Sequence, residues 1–100
     1  MKIMSKEQEP EEFYRKLKSQ LLDTTDWPAI YLFKFIVPTD KEKIRDVEDI
    51  FDNLGAVINT KQSKKGKYTS VSVNVRMKSP DTVIEKYKEV GQKIEGVISL

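Results

Sequence analysis

The chain of 100 residues contains no cysteine and no histidine. Without cysteine there are no disulfide bonds and no thiolate nucleophiles. Without histidine there is no imidazole acid–base chemistry, and the commonest zinc ligands are missing as well. We therefore predict no catalytic residue, no metal and no cofactor, and the protein is not expected to be an enzyme.

Long apolar runs are also missing. The longest run covers residues 29–37, is interrupted by Lys34, and is far shorter than the roughly 20 residues that cross a bilayer. The first residues, MKIMSKEQEPEE, become charged before any apolar stretch of signal-peptide length. We therefore expect a cytoplasmic protein without a membrane partner.

Neither sign of charge dominates, because 18 basic and 16 acidic residues leave a net charge of +2. The distribution is less even. The stretch KQSKKGK at 61–67 holds four lysines and no acid, whereas KEKIRDVEDIFD at 41–52 holds three basic and five acidic residues. The sequence thus predicts a basic hairpin tip and an acidic helix.

The N-terminal part has the pattern of a short amphipathic helix. Pro10 suits a first helical position, and Phe13, Leu17 and Leu21 then recur every four residues. This spacing places the three side chains on one helix face. We predict a helix over about 10–22.

Three strands are predicted from β-branched and aromatic content and from alternation. The stretch AIYLFKFIV at 29–37 is apolar on both faces, which is typical of a central strand. Residues 57–63 and 67–78 predict a hairpin. In its second strand valines alternate with serine and asparagine, so only one face of that strand is expected to be buried.

Two further helices are predicted from their termini. Thr39 has capping-box spacing before a helix over about 40–54, and Gly55 suits a left-handed residue after that helix. Ser79 and Pro80 predict the start of the other helix. A last short strand is expected in VISL at the C-terminus.

The resulting order, β-α-β-β-α-β, predicts an α+β ferredoxin-like sandwich: a four-stranded antiparallel sheet with two helices on one face, plus the N-terminal helix. We assign residues 1–26 to the N-terminal helix and linker, and residues 27–100 to the sandwich. The predicted core comprises Tyr31, Phe33, Phe35, Val71, Val73 and Val75 against Ile44, Val47, Phe51, Val83, Ile84 and Tyr87.

The other sheet face carries an apolar row, Ile30, Leu32 and Ile36, that needs a cover. Either the N-terminal helix lies on it through Phe13 and Leu17, or a second subunit or a protein partner does. These five residues are the predicted interface.

Several functions known for such sandwiches lack their residues here. An RNA-binding sheet needs outward aromatic residues, but Ser70, Ser72 and Asn74 occupy those positions and leave only Tyr68. The loop of residues 38–40 has no glycine for a phosphate cradle or for the ligand site of an ACT regulatory domain.

The stretch SKKGK has two interpretations. Glycine permits the backbone conformation of a hairpin turn, and lysines at an exposed strand edge discourage pairing with another chain. Alternatively, Lys61, Lys64, Lys65 and Lys67 form a basic patch for phosphate, RNA or an acidic protein surface, with Lys34 pointing the same way from the sheet.

The stretches WPAIYLFKFIVP, SKKGKYTSVSVNV and YKEVGQKIEGVISL together resemble the YbeD-like family of small bacterial proteins, which is linked with lipoate metabolism mainly through genome neighbourhood. The resemblance covers about residues 27–100. It implies a ferredoxin-like, ACT-like fold and a regulatory or binding role. Its most specific feature is the hairpin motif Ser63-x-x-Gly66-x-Tyr68-x-Ser70-Val71.

We therefore expect a non-enzymatic binding or regulatory module that acts through self-association or a protein partner. Two alternatives stay open: a small-molecule sensor of ACT type, and a nucleic-acid binder that uses the hairpin 61–67. The candidate binding residues are Lys34, Ser63, Lys64, Lys65, Gly66, Lys67, Tyr68 and Ser70.

Overall fold

The computed structural model describes residues 10–100, so the first nine residues of the predicted N-terminal segment lie outside the described part. Within the described part, no helix is long and apolar enough to cross a membrane. The elements are α1 (Pro10–Thr24), β1 (Ala29–Pro38), α2 (Lys41–Ile50), β2 (Val57–Gln62), β3 (Tyr68–Met77), α3 (Pro80–Lys93) and β4 (Ile98–Ser99).

The four strands form one antiparallel sheet in the order β2-β3-β1-β4. The longest pairing joins β1 to β3 over ten residues, from Ala29 opposite Met77 to Pro38 opposite Tyr68. Strand β4 pairs only with Phe35 and Ile36 of β1. After α1 the order of elements is β-α-β-β-α-β, which confirms the predicted ferredoxin-like sandwich.

The core lies between the sheet and the helices α2 and α3. Phe33 and Phe35 alternate along β1 with outward residues and are fully buried. The Phe33 ring centroid lies 4.9 Å from that of Phe51, after α2, and 5.1 Å from that of Tyr87 on α3. Because large aromatic side chains bury much apolar area, they contribute strongly to the stability of so small a core. Ten of the twelve predicted core residues are buried, and the other two, Tyr31 and Ile44, are partly buried against the core.

A hydrogen bond between two phenols closes one end of this core. The hydroxyl groups of Tyr31 and Tyr87 are 2.8 Å apart, and their rings meet edge to face. Burial, together with the bond to Tyr31, raises the pKa of the Tyr87 phenol far above its usual value. The neutral phenol is therefore favoured in the folded protein.

Helix α1 lies against α3. Lys18 of α1 forms an ion pair with Asp81 at 2.9 Å, and Lys88 of α3 pairs with Glu11 at 3.3 Å. Leu21 is buried at the margin of the core, and its carbonyl accepts a hydrogen bond from the Trp27 indole at 3.1 Å. The helix therefore packs on the helix side of the molecule.

Helix α2 is shorter than predicted, because it ends at Ile50 and not near residue 54. The amides of Phe51 and Asp52 bond to carbonyls three residues back, so the last turn tightens. Asn53 then has a φ of 68°, and Gly55 has the predicted left-handed conformation with a φ of 72°, but both lie in the turn that follows the helix.

The predicted cap of α2 was also wrong. The cap is Asp40, whose carboxylate accepts from the amide of Glu42 at 2.8 Å. The Thr39 hydroxyl instead pairs with that of Thr69 at 2.9 Å. The Thr39 amide donates to the carbonyl of Lys67, so Thr39, which directly follows β1, is bonded to the residues at the start of β3 and does not cap the helix. In α3, Ser79 is the cap as predicted, with Thr82 as its reciprocal partner.

The turn into β4 requires glycine. Gly96 has a φ of 81°, and a Cβ at this position would lie 3.1 Å from Cγ of Pro38. Gly91, within α3, has open space around it. The two glycines are thus a matched pair for testing this turn.

We expect Gly96→Ala to lower the free energy of unfolding by about 1–2 kcal/mol, because alanine is strained at positive φ and must push against Pro38. Gly91→Ala should raise it by about 0.5–1 kcal/mol, because alanine favours the helix. Urea denaturation measures both. Equal effects of the two substitutions would contradict this account of the turn.

The Tyr87 phenol predicts a pH dependence of stability. Its folded pKa is raised, so the unfolded chain loses this proton first as the pH rises above the usual phenol value of 10.0. The stability that this phenol contributes is therefore complete below that pH. Above it, the free energy of unfolding falls by up to about 1.4 kcal/mol per pH unit. We expect the free energy of unfolding of Tyr87→Phe to fall less steeply with pH than that of the wild type. Urea denaturation between neutral pH and pH values above 10.0 measures both.

Tyr68→Phe is the matched control, because it removes an exposed phenol. It should keep the wild-type slope of stability against pH. The same slope in Tyr87→Phe and in the wild type would show that the buried phenol does not cause the dependence.

Candidate functional site

The sheet surface opposite the helices carries no element of residues 10–100. We call it the open face. In an antiparallel sheet, side chains of paired residues point to the same side, so the register identifies its members. They are Ile30, Leu32, Lys34 and Ile36 on β1, Tyr68, Ser70, Ser72, Asn74 and Arg76 on β3, Val57, Asn59 and Lys61 on β2, and Ile98 on β4.

The open face has a large aliphatic component. Ile30 is 70% exposed, Leu32 51%, Val57 61% and Ile98 53%. Val57 and Leu32 flank the same residue of β3, and Ile98 lies directly beside Ile36. These side chains therefore form neighbouring groups and not scattered single residues, which is the pattern of a surface that binds.

The charges of the open face have one sign. Lys34, Lys61 and Arg76 are exposed, and none of the four strands contains Asp or Glu. The ion pairs within residues 10–100 lie in and between α1 and α3. The open face is therefore both apolar and positively charged.

The hairpin motif builds its own turn. The Ser63 carbonyl accepts from the Gly66 amide at 2.9 Å, and Gly66 has a φ of 75°. The Ser63 hydroxyl accepts from the Tyr68 amide at 3.2 Å, and the Ser63 amide donates to the Tyr68 carbonyl at 2.8 Å. Ser63 and Gly66 thus shape the chain.

The other motif residues face the open side. Tyr68 is half exposed, and the Ser70 hydroxyl donates to the Lys61 carbonyl at 3.3 Å. A shallow concavity of about 270 Å³ lies here, lined by Ile36, Lys61, Gln62, Ser63, Tyr68 and Ser70. Its surface is mostly apolar and lies beside Lys61. It therefore suits an apolar side chain or small group that ends in a carboxylate.

The structure brings together most of the predicted site residues. Lys34, Tyr68 and Ser70 share the open face with the apolar row Ile30, Leu32 and Ile36. Lys64, Lys65 and Lys67 are exposed at the adjoining hairpin.

Two predicted interface residues lie elsewhere. Both are on α1, which contacts α3; Leu17 packs against the core, whereas Phe13 is 42% exposed. The exposed cation Arg76 and the aliphatic residues Val57 and Ile98 were not predicted as part of the site. The alternation of β3 places Arg76 outward, so the sequence could have predicted it as part of the site. Val57 and Ile98 lie on other strands, and only the strand pairing shows that they are neighbours of the site.

The described residues offer few groups for metal chemistry. Among residues 10–100, no group of three or more carboxylates is placed to hold a metal ion. The polar side chains of the open face are lysine, arginine, serine, asparagine and tyrosine. This set can donate hydrogen bonds to anionic groups.

A family model described as "Protein of unknown function (DUF493)" matches residues 23–99. No curated protein matches the chain, and no solved structure matches it. The matched range includes all four strands and begins at the end of α1. The sheet and its open face therefore lie within the family's own region.

The two roles of the hairpin are separable by substitution. Ser63→Ala removes the acceptor of the Tyr68 amide and should lower the free energy of unfolding by about 0.5–1.5 kcal/mol. Lys64→Ala removes an exposed side chain and should change it by less than about 0.5 kcal/mol. Urea denaturation compares the two variants. An equal loss in both would contradict the assignment of the turn to Ser63.

Proposed function

We propose that this chain, which belongs to the DUF493 family of proteins of unknown function, is a non-enzymatic binding module that acts through protein contacts of its open face. The family description assigns no activity. The proposal is drawn from the surface of this chain, and the observation that carries it is the exposed aliphatic group around Leu32.

Exposed aliphatic side chains in neighbouring positions favour association, because covering them removes apolar area from water. Ile30, Leu32 and Val57 are each more than half exposed. Helix α1 packs against the core through Leu17 and Leu21, and exposed ion pairs join it to α3, so it does not cover this face. Among residues 10–100, no element covers the open face, which favours its contact with another molecule.

A binding role without catalysis is supported by the kinds of groups present. The open face carries cations, hydroxyls and an amide, and its strands hold no carboxylate for acid–base work. The strongly perturbed phenol of Tyr87 lies in the core and bonds to Tyr31. It is therefore placed for stability and not for reaction.

The YbeD-like resemblance is consistent with membership of DUF493 and adds the suggestion of a regulatory role near lipoate metabolism in a bacterial cytoplasm. A small-molecule sensor of ACT type has less support. The loop at Thr39 is tied to β3 by bonds to Lys67 and Thr69, so its backbone amide is already used.

Nucleic-acid binding is the second candidate, and one observation favours it: Tyr68 lies beside Lys61, with the hairpin lysines adjoining. Single-stranded nucleic acids bind where cations line a path of stacking aromatic residues. Tyr68 is the one aromatic residue of the open face within the described part of the chain, so protein contacts remain the first proposal.

Site-specific photocrosslinking in the producing cells tests the proposal. Benzoylphenylalanine in place of Leu32 should give a discrete adduct, identified by mass spectrometry, because this side chain is at the centre of the exposed group. The same substitution at Glu85, which is exposed on α3, is the matched control and should give none.

An adduct twice the mass of the chain would assign the contact to a second copy, which is still a protein contact of the open face. The same adducts from both positions, or none from Leu32, would contradict the proposed function. Both positions are exposed, so neither variant should lose its fold.

A further inference from the structure

The open face combines aliphatic side chains with cations, and from this combination we infer that its partner is an acidic amphipathic helix of another protein. The inference rests on the proposed function and names the chemistry of the partner. It depends on three properties of the open face, namely its single sign of charge, the paired backbone of its central strand β3 and its dimensions.

The charge disfavours one simple occupant, a second copy of this chain that binds through the same face. If a second copy met this chain through the same face, Lys34, Lys61 and Arg76 of the two copies would be brought into one interface without acids from the strands to neutralise them. Like charges in an interface are costly. A partner whose contact surface carries carboxylates removes that cost and forms charge-assisted hydrogen bonds with the same three residues.

The backbone of the sheet limits the form of the partner. Strand β1 is paired with β3 on one side and, near its end, with β4 on the other, and β3 lies between β2 and β1. The backbone groups of β3 are therefore paired on both sides, and the unpaired ones lie at the outer edges of the sheet, on β2 and on β1 before Lys34. A partner that lies on the open face itself meets side chains. An extended segment lying there would leave its own amides unpaired, at a cost for each. A helix satisfies its own amides.

The spacing of the open face suits a short helix. From Ile30 to Ile36 is about 20 Å along β1, which corresponds to a helix of about 13 residues. Arg76 lies beside Ile30 at one end, and Lys34 lies between the two aliphatic groups. Lys61 and Ile36 flank Ser70 at the other end. The cations therefore occur at both ends and in the middle of the path.

The open face has a depression that can accommodate one larger side chain of the partner. Ser70 and Ser72 are small and only partly exposed, whereas Lys61 and Ile36 stand on either side of Ser70. The concavity of about 270 Å³ at this place also includes Tyr68. A leucine or phenylalanine of the partner fits there, and an acid one turn away would reach Lys61.

A selection experiment tests the inference with a defined probe. Full-length protein is used to select phage-displayed random peptides of about 16 residues, long enough for the expected helix. Enriched sequences should be acidic, with aliphatic residues at helical spacing. Lys34→Glu and Arg76→Glu should each weaken their binding by about tenfold.

Two substitutions complete the design. Lys16→Glu reverses an exposed charge on α1 and should leave the affinity unchanged, so it controls for net charge. Leu32→Ser removes an exposed aliphatic side chain and should abolish binding while leaving the fold intact. Amide NMR shifts caused by an enriched peptide should cluster on β1 and β3.

The outcomes separate the inference from the proposed function. Loss of binding in Leu32→Ser without any effect of the charge reversals would overturn the acidic partner and keep the open face as the site. Binding unaffected by Leu32→Ser would contradict both. Enrichment of neutral or basic peptides, or of none, would overturn the inference.

Two other occupants have their own signatures. A short mixed-sequence RNA that competes with the peptides, and that loses affinity in Lys64→Glu and Lys65→Glu, would assign the open face to nucleic acid. Light scattering that shows a dimer in the wild type and a monomer in Leu32→Ser would assign it to a second copy. Either result would overturn the acidic helix.

Discussion

The ten-residue pairing of β1 with β3 is the constraint on which the rest of the structure depends. It places Phe33 opposite Val73 and Phe35 opposite Val71, so these two aromatic and two aliphatic side chains enter the core together. Because the side-chain period of a strand is two, a shift of one residue would move this whole set to the other face. Burial of the aromatic residues therefore fixes the register.

The same register determines what is left outside. The helices α2 and α3 cover one face of the sheet, and each side chain that alternates with a buried residue points to the other face. In β1 these alternate positions are mostly aliphatic. In β3 they are a tyrosine, two serines, an asparagine and an arginine. The open face is thus a direct consequence of a core that closes on one side only, and α1 does not change this because it packs on the helix side, against the core and α3.

Local signals in the sequence predicted much of the fold, and long-range contacts decided the remainder. The alternation of β3 and the cap at Ser79 depend on neighbouring residues and were predicted. The position of α1 depends on contacts between distant residues, such as the packing of Leu17 and Leu21 against the core, and no local pattern contains that information. Thr39 has the local spacing of a cap, but its bond to Thr69, thirty positions away, overrides that preference.

The same division applies to the candidate site, where the hairpin connects local and distant signals. Ser63 and Gly66 make a turn, and the paired bonds between Ser63 and Tyr68 set where the alternation of β3 begins. With that starting point, Tyr68 and Ser70 face outward and every valine of β3 faces the core. The turn therefore does not merely join two strands. It determines which side chains of β3 face outward. Ser63, which shapes the turn, therefore also determines that Tyr68 and Ser70 lie on the open face beside Lys61.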